Sequence, residues 1–383
     1  MEVDVLFLSH AYCKYHSNYR YFSGVVGNFK KLKGLVKPLP IFSAFYPPIP
    51  IEKSEIDFFL RKKREELKYK HHSHPWKVEF KMSLYRFLLP RIGMYVKRLI
   101  EDYNPKVLVV WNGLKYPLFI VRQLAMQYNI PVIYLENGPL PDTIQADLKG
   151  VNFLNSVPRD KSFYEKNFFE GELPQNLIPR KPAICRKFKN VKKIDVSSLK
   201  YVFIPFQVWS DTQIIYFSPW IKSMEQLFWL FVDIAKEFPD LHFIFKEHPS
   251  ERFADYSKLH RIADKFPNLH FASNSTQELI EKAEVVVTIN SSVGVEALLW
   301  HKKVIVLGQA FYDIDGIAKR AWSFSELLEH IKNLDNWEVD TVLVDNFLRY
   351  LYNYYLLKPK NDVEIFAENF EERLINFIEE GSF

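Results

Sequence analysis

Four short stretches of this chain place reactive side chains directly after apolar runs. Glu136 opens "ENGPLPDTIQADLKGVN", Gln207 and Asp211 stand in "QVWSD", Lys246 and His248 in "KEHP", and Ser291, Ser292, Gly294 and Glu296 in "NSSVGVE". Ser291 and Ser292 fall where an apolar strand gives way to a helix. Free N–H groups, the positive end of the helix dipole and two hydroxyl donors suit such a place to a phosphate, with Gly294 easing close backbone approach. Glu296 lies four residues after Ser292 on the same helix face, from where it can accept hydrogen bonds from a ribose. An imidazole at His248 can donate to a departing phosphate, and Lys246 can neutralise a carboxylate or phosphate. Glu136 and Asp211 are acids that follow apolar strands, one in each half. Two such carboxylates can carry glycosyl transfer with retention, one as nucleophile and one as proton shuttle.

Each residue also has a plainer role. Ser291 can simply cap a helix, Glu296 can be solvated, a histidine before a proline can shape a turn, and Lys246 can be a solvated strand end. Glu136 and Asp211 can be an N-cap or a buried hydrogen-bond acceptor. The argument for a site is that all four strand ends are unusual together.

The elements that must hold these residues read as alternating strands and helices. "VDVLFLS", "KVLVVWNG" and "IPVIYLENG" read as strands of the first half, and "YPLFIVRQLAMQYN" as the helix of a βαβ unit. "SEIDFFLRKKREELKYKHH" and "WKVEFKMSLYRFLLPRIGMYVKRLIEDY" read as charged helices. The second half runs "YVFIPFQ", "LHFIFKEHP", "NLHFAS", "VVVTINSS" and "KVIVLG" as strands, with helical stretches between them. We therefore expect an α/β protein of two Rossmann-like domains facing a central cleft (GT-B): residues 1–165, a proline-punctuated linker 166–198, a second domain 199–320, and a helical tail 321–383 packing back across both. In such sheets ligands sit at the carboxyl ends of the strands.

Composition narrows the classes. A chain of 383 residues that is 48% hydrophobic and 25% charged can build two cores. A formal charge of +5 is too small a bias to argue for nucleic acid. Two cysteines, Cys13 and Cys185, offer neither a disulfide framework nor a metal quartet. The opening "MEVDVLFLSH" has no basic segment and too short an apolar run for a signal peptide, so a cytoplasmic protein is expected. Neither GxGxxG nor GxxxxGK[ST] occurs, so phosphate must be held in another way. "DID" (Asp313–Asp315) has no further acids or histidines clustered nearby, and no metal is expected.

Together the stretches from 136 to 318, including "LGQAFYDIDGIA", resemble the capsule polysaccharide biosynthesis family of retaining bacterial β-Kdo transferases. The resemblance implies CMP-β-Kdo as donor, no cofactor or metal, and a glycan acceptor of the O-antigen or capsule type, lipid-linked. It gives the CMP phosphate to His248, Ser291 and Ser292, the ribose to Glu296, the nucleophile to Asp211 and the acid/base role to Glu136. Gln207 and Lys246 become contacts to the sugar. Two other enzyme readings share the frame: a CDP-alcohol phosphotransferase of the teichoic-acid polymerase type, and an inverting sialyltransferase-like enzyme. A third reading is a non-catalytic scaffold. The runs "RKKREELKYKHH" and "KKLKGLVK" are read either as solvated faces or as a peripheral contact with an anionic inner-membrane surface. Trp209 and Tyr312 are read as sugar-stacking platforms or as core.

Overall fold

A computed structural model describes residues 2–9, 31–39, 43–51, 53–71, 74–177, 191–358 and 369–383. Cys13 and Cys185 lie outside the described residues. The chain forms two units, one of Met1–Gly138, Asp142–Ser156 and Tyr355–Phe383, the other of Pro139–Pro141 and Val157–Tyr354. The helical tail divides: Phe324–Lys332 and Thr341–Arg349 belong to the second unit, and Asn369–Glu380 to the first.

The first unit is built on β1 (Val5–Ser9), β2 (Gly34–Pro38), β3 (Val107–Trp111), β4 (Val132–Asn137) and β5 (Ile144–Asp147), in the order β2-β1-β3-β4-β5. All pairs are parallel except β4–β5. β1 and most of β3 and β4 are buried, the continuous apolar run expected of parallel strands covered on both faces. One face carries Leu89, Val96, Ile120 and Leu124 from helices Pro75–Tyr103 and Phe119–Gln127. The other is covered by Phe370 and Leu374 of the last helix.

The second unit has β6 (Tyr201–Pro205), β7 (His242–Lys246), β8 (Leu269–Phe271), β9 (Val285–Thr288), β10 (Lys303–Val306) and β11 (Lys319–Arg320). All are parallel, in the order β11-β10-β9-β6-β7-β8. The chain winds from β6 outward to β8, then crosses to the other side of β6 to make β9. The switch in strand order, where open α/β sheets leave a crevice, therefore lies between β6 and β9.

Both units are Rossmann-like α/β, as expected. Three strands differ from the sequence reading. "KKLKGLVK" contributes β2, a half-buried strand parallel to β1, and is neither a solvated helix face nor a free basic segment. "TIQAD" supplies β5, which returns antiparallel on β4, so the polar stretch after Glu136 is a hairpin. β11 is two residues long.

Candidate functional site

The site residues of the second unit stand at the carboxyl ends of β6, β9 and β7. Gln207 is buried just beyond β6, and both ends of its amide bond to the β9 end. Its Nε2 donates to Asn290 Oδ1 at 3.1 Å, while its Oε1 accepts from the Asn290 N–H at 3.2 Å and from Thr288 Oγ1 at 3.3 Å. Asn290 continues the network. Its Nδ2 donates to the carbonyls of Gln213 at 2.9 Å, Phe217 at 3.3 Å and Gln309 at 3.3 Å. Two buried amides thus lock the loops after β6, β9 and β10 together at the switch point. Gln207, expected against the sugar, spends its hydrogen bonds on this lock. Asn290 was missed by the sequence reading, although it stands next to Ser291 in "TINSS".

Asp211 is the N-cap of helix Thr212–Phe217. Its Oδ1 accepts from the Gln213 N–H at 3.1 Å and from Thr212 Oγ1 at 3.2 Å, and Oδ2 accepts no hydrogen bond among the described residues. Ser291 likewise caps Ser292–Leu298: its Oγ accepts from the Val293 N–H at 3.2 Å. Both plain readings are therefore realised. They also fix where the remaining oxygen lone pair or proton can point.

Gly294 has a different reason from the one expected. A Cβ there would lie 2.3 Å from Tyr312 Oη and 2.7 Å from two ring carbons, so the glycine makes room for a tyrosine. Tyr312 is fully buried, and its hydroxyl donates to the Ser291 carbonyl at 2.6 Å. It is thus a brace behind the serine cap and cannot be a sugar platform. Burial pushes its phenol far above the ordinary range, and the charges of Asp313 and Glu296 add to that. Glu296 is buried on the same helix, not solvated. Trp209 packs partly against the core of this unit. In "DID", Asp315 is exposed, whereas burial raises Asp313, with the charges of Arg320 and Arg159 opposing the shift. Among the described residues no group of three or more His, Cys, Asp or Glu could hold a metal ion.

"KEHP" closes β7 with three separate anchors. Lys246 Nζ donates to the Asn274 carbonyl at 2.6 Å. Glu247 is buried against His260, with Nε2 and Oε1 at 2.7 Å, and His260 stacks on Phe271 at 4.0 Å between centroids. His248 Nδ1 accepts from the Ser250 N–H at 3.1 Å, so a neutral ring carries its proton on Nε2. The sheet order puts β6 between β7 and β9, so the two ends stand two strands apart, about 10 Å. Asp211, beyond β6, belongs to the strand between them.

Glu136 lies in the first unit, near the end of β4. Its Oε2 accepts from Asn112 Nδ2 at 2.6 Å, and its Oε1 from the Asn137 N–H at 3.1 Å. Asn112 and Gly113 both take left-handed backbone, which turns the chain sharply after β3 and aims the Asn112 amide at β4. The "WNG" that ends a strand was the available signal for this partner.

A sequence profile described as "Capsule polysaccharide biosynthesis protein" matches residues 184–355. Protein FixF of Sinorhizobium fredii is 38% identical over 262 residues, covering 67% of this chain and 61% of that protein. The capsule polysaccharide export protein KpsS of Escherichia coli is 28% identical over 255 residues, covering 51% of this chain and 65% of the relative. The chain thus spans less than two thirds of the length of these relatives. A solved structure of Thermosulfurimonas dismutans KpsC, described as a beta Kdo 2,7 transferase, aligns over 98% of this chain and 99% of that one, with TM-score 0.49 and 18% identity. By that profile match, residues 184–355 belong to the capsule polysaccharide biosynthesis family, and the likeness to FixF spans 67% of the chain.

Proposed function

We propose that the chain is a glycosyltransferase of bacterial surface-glycan assembly. It moves Kdo from CMP-β-Kdo to a hydroxyl of a capsule or O-antigen glycan, with retention. The observation that carries this reading is the locked switch point, where Gln207 and Asn290 hold the loops of Asp211 and Ser291 as one piece. Family membership supplies the substrate class.

In the proposed reaction Asp211 Oδ2 attacks the anomeric carbon, and the C–O bond to CMP breaks with its electron pair leaving on the phosphate. Donors from Ser291, Ser292 and His248 meet that charge. The acceptor oxygen then attacks the same carbon, its proton passes to Glu136, and the bond to Asp211 breaks. Two inversions give retention. Kdo carries a carboxylate on the anomeric carbon, so the intervening centre is an oxocarbenium beside an anion. The first of these steps asks only that one carboxylate oxygen be fixed and the other left to react.

The test is intact mass after mixing a Glu136→Gln protein with CMP-Kdo. The expected result is an adduct one Kdo heavier, absent from Glu136→Gln/Asp211→Asn. An adduct that survives loss of Asp211, or none in any variant, refutes the double displacement. The cap made by Asp211 favours a second reading, in which this acid is structural and the enzyme is a CDP-alcohol phosphotransferase. Asp211→Asn, which keeps a capping oxygen, then retains full turnover.

A further inference from the structure

Helix Pro75–Tyr103 is apolar on two opposite sides in its first turns. One side, with Val78, Met82 and Leu89, is buried. On the other stand Trp76 at 65% exposure, Phe80 at 65%, Leu84 at 41% and Phe87 at 48%. Their spacing of four, four and three residues puts them on one stripe about 17 Å long. Toward the helix C-terminus Ile49 and Tyr46 close over the helix: the Ile49 N–H donates to Pro90 O, and Tyr46 meets Tyr95 edge-on at 5.4 Å. The bare stripe is thus confined to the first turns. A surface helix has no reason of folding to show four large apolar groups to water on one line.

The charges around the stripe are mostly positive. From residue 75 to 91 the chain carries four Lys or Arg (Lys77, Lys81, Arg86, Arg91) and one acid, Glu79. Glu79 is paired with Arg64 of the preceding helix. Lys77 reaches over the Trp76 ring at 5.5 Å, and the Arg91 guanidinium lies on the Phe87 ring at 3.7 Å. Aromatic groups flanked by cations that stack on them match an anionic lipid interface, where rings enter the headgroup layer and the cations stay among phosphates. The basic run of helix Lys53–Lys70 is less suited. Lys62 pairs with Glu65, Lys63 and Lys70 with Glu66 and Arg64 with Glu79, so four of the six cations between residues 61 and 70 are already met.

We infer that the Trp76–Phe80–Leu84–Phe87 stripe docks the first unit on an anionic membrane surface. Cosedimentation of the full chain with vesicles tests it. Phosphatidylglycerol-containing vesicles retain the protein, pure phosphatidylcholine vesicles retain much less, and added salt weakens binding. Trp76→Ser/Phe80→Ser lowers the partition coefficient by about tenfold or more, since each ring loses most of its transfer into the interface. Lys77→Gln/Lys81→Gln removes the preference for the anionic lipid. All four side chains are at the surface, so the denaturation midpoint of each variant stays at the wild-type value. Wild-type binding by the Trp76→Ser/Phe80→Ser protein overturns the inference. So does a wild-type dimer, seen by light scattering, that this variant splits while vesicle binding persists, because the stripe is then a contact between copies. Vesicle binding needs no donor sugar, so this experiment and the CMP-Kdo experiment fail independently.

Discussion

Gly294→Ala separates two reasons for a glycine beside the serine pair. In a helix without neighbours the change stabilises by about 1 kcal/mol through backbone entropy. Here the new methyl meets Tyr312 Oη at 2.3 Å and its ring at 2.7 Å. Tyr312 cannot swing away, because it is fully buried and its hydroxyl holds the Ser291 carbonyl at 2.6 Å. Overpacking of this kind costs about 1–3 kcal/mol, and loss of the buried hydroxyl bond about 1 kcal/mol more. The net expectation is a loss of about 1–3 kcal/mol, opposite in sign to the propensity effect. Guanidinium unfolding followed by circular dichroism reads it. Tyr312→Phe removes the nearest atom of the clash, so the double variant should be more stable than the sum of the singles by about 1 kcal/mol. Turnover should fall along with stability, since the tyrosine braces the serine cap. A Gly294→Ala protein as stable as wild type refutes the reasoning. If it also fails to turn over CMP-Kdo, the glycine serves the ligand and not the tyrosine.

Two further substitutions probe the second unit. Asn290→Ala strips one donor shared by three carbonyls and removes the acceptor of Gln207 Nε2, a loss on the order of 3 kcal/mol in denaturant unfolding; a loss below about 1 kcal/mol would mean that the loops are not locked there. Burial, and then the neighbouring His242 ring, hold His270 below the usual histidine range. The unfolded chain therefore takes up this proton first, so the contribution is complete above about pH 6.5 and is lost as pH falls through the lower folded value. His270→Gln should flatten the fall of the unfolding midpoint on that acid side, and an unchanged slope counts against the assignment.

What could be read from the sequence follows from how locally each feature is written. β3, β4, β6, β7, β9 and β10 are buried on both faces, so each appears as an apolar run whatever its neighbours do. β2 is half-buried and spelled Gly-Leu-Val-Lys-Pro, which carries neither period nor run, and its pairing with β1 comes from a segment about thirty residues away. Strand order is not local at all. Nothing in the spacing of β7, β8 and β9 says that β9 crosses to the far side of β6, so the two-strand separation of His248 from the serines cannot be read from the sequence. Tyr312 was unreadable in the same way, since its burial is decided by a glycine eighteen residues earlier that leaves it space.

The candidate site residues stand out in the sequence by type, and what cannot be read there is which of two roles each fills. The geometry suggests that the two roles are not rivals. Asp211 gives Oδ1 to the cap of its helix, Ser291 gives an Oγ lone pair to the Val293 N–H, and His248 gives Nδ1 to the Ser250 N–H. In each case the backbone takes one acceptor and thereby sets the direction of the rest of the group: the other carboxylate oxygen of Asp211, the hydroxyl proton of Ser291, the ring of His248. A side chain held at one end by the main chain loses little freedom when the other end meets a substrate, which is the preorganisation that transfer chemistry needs. Capping in itself therefore does not argue against catalysis at Asp211. Only an Asp211→Asn protein that keeps both the cap and full turnover would separate them.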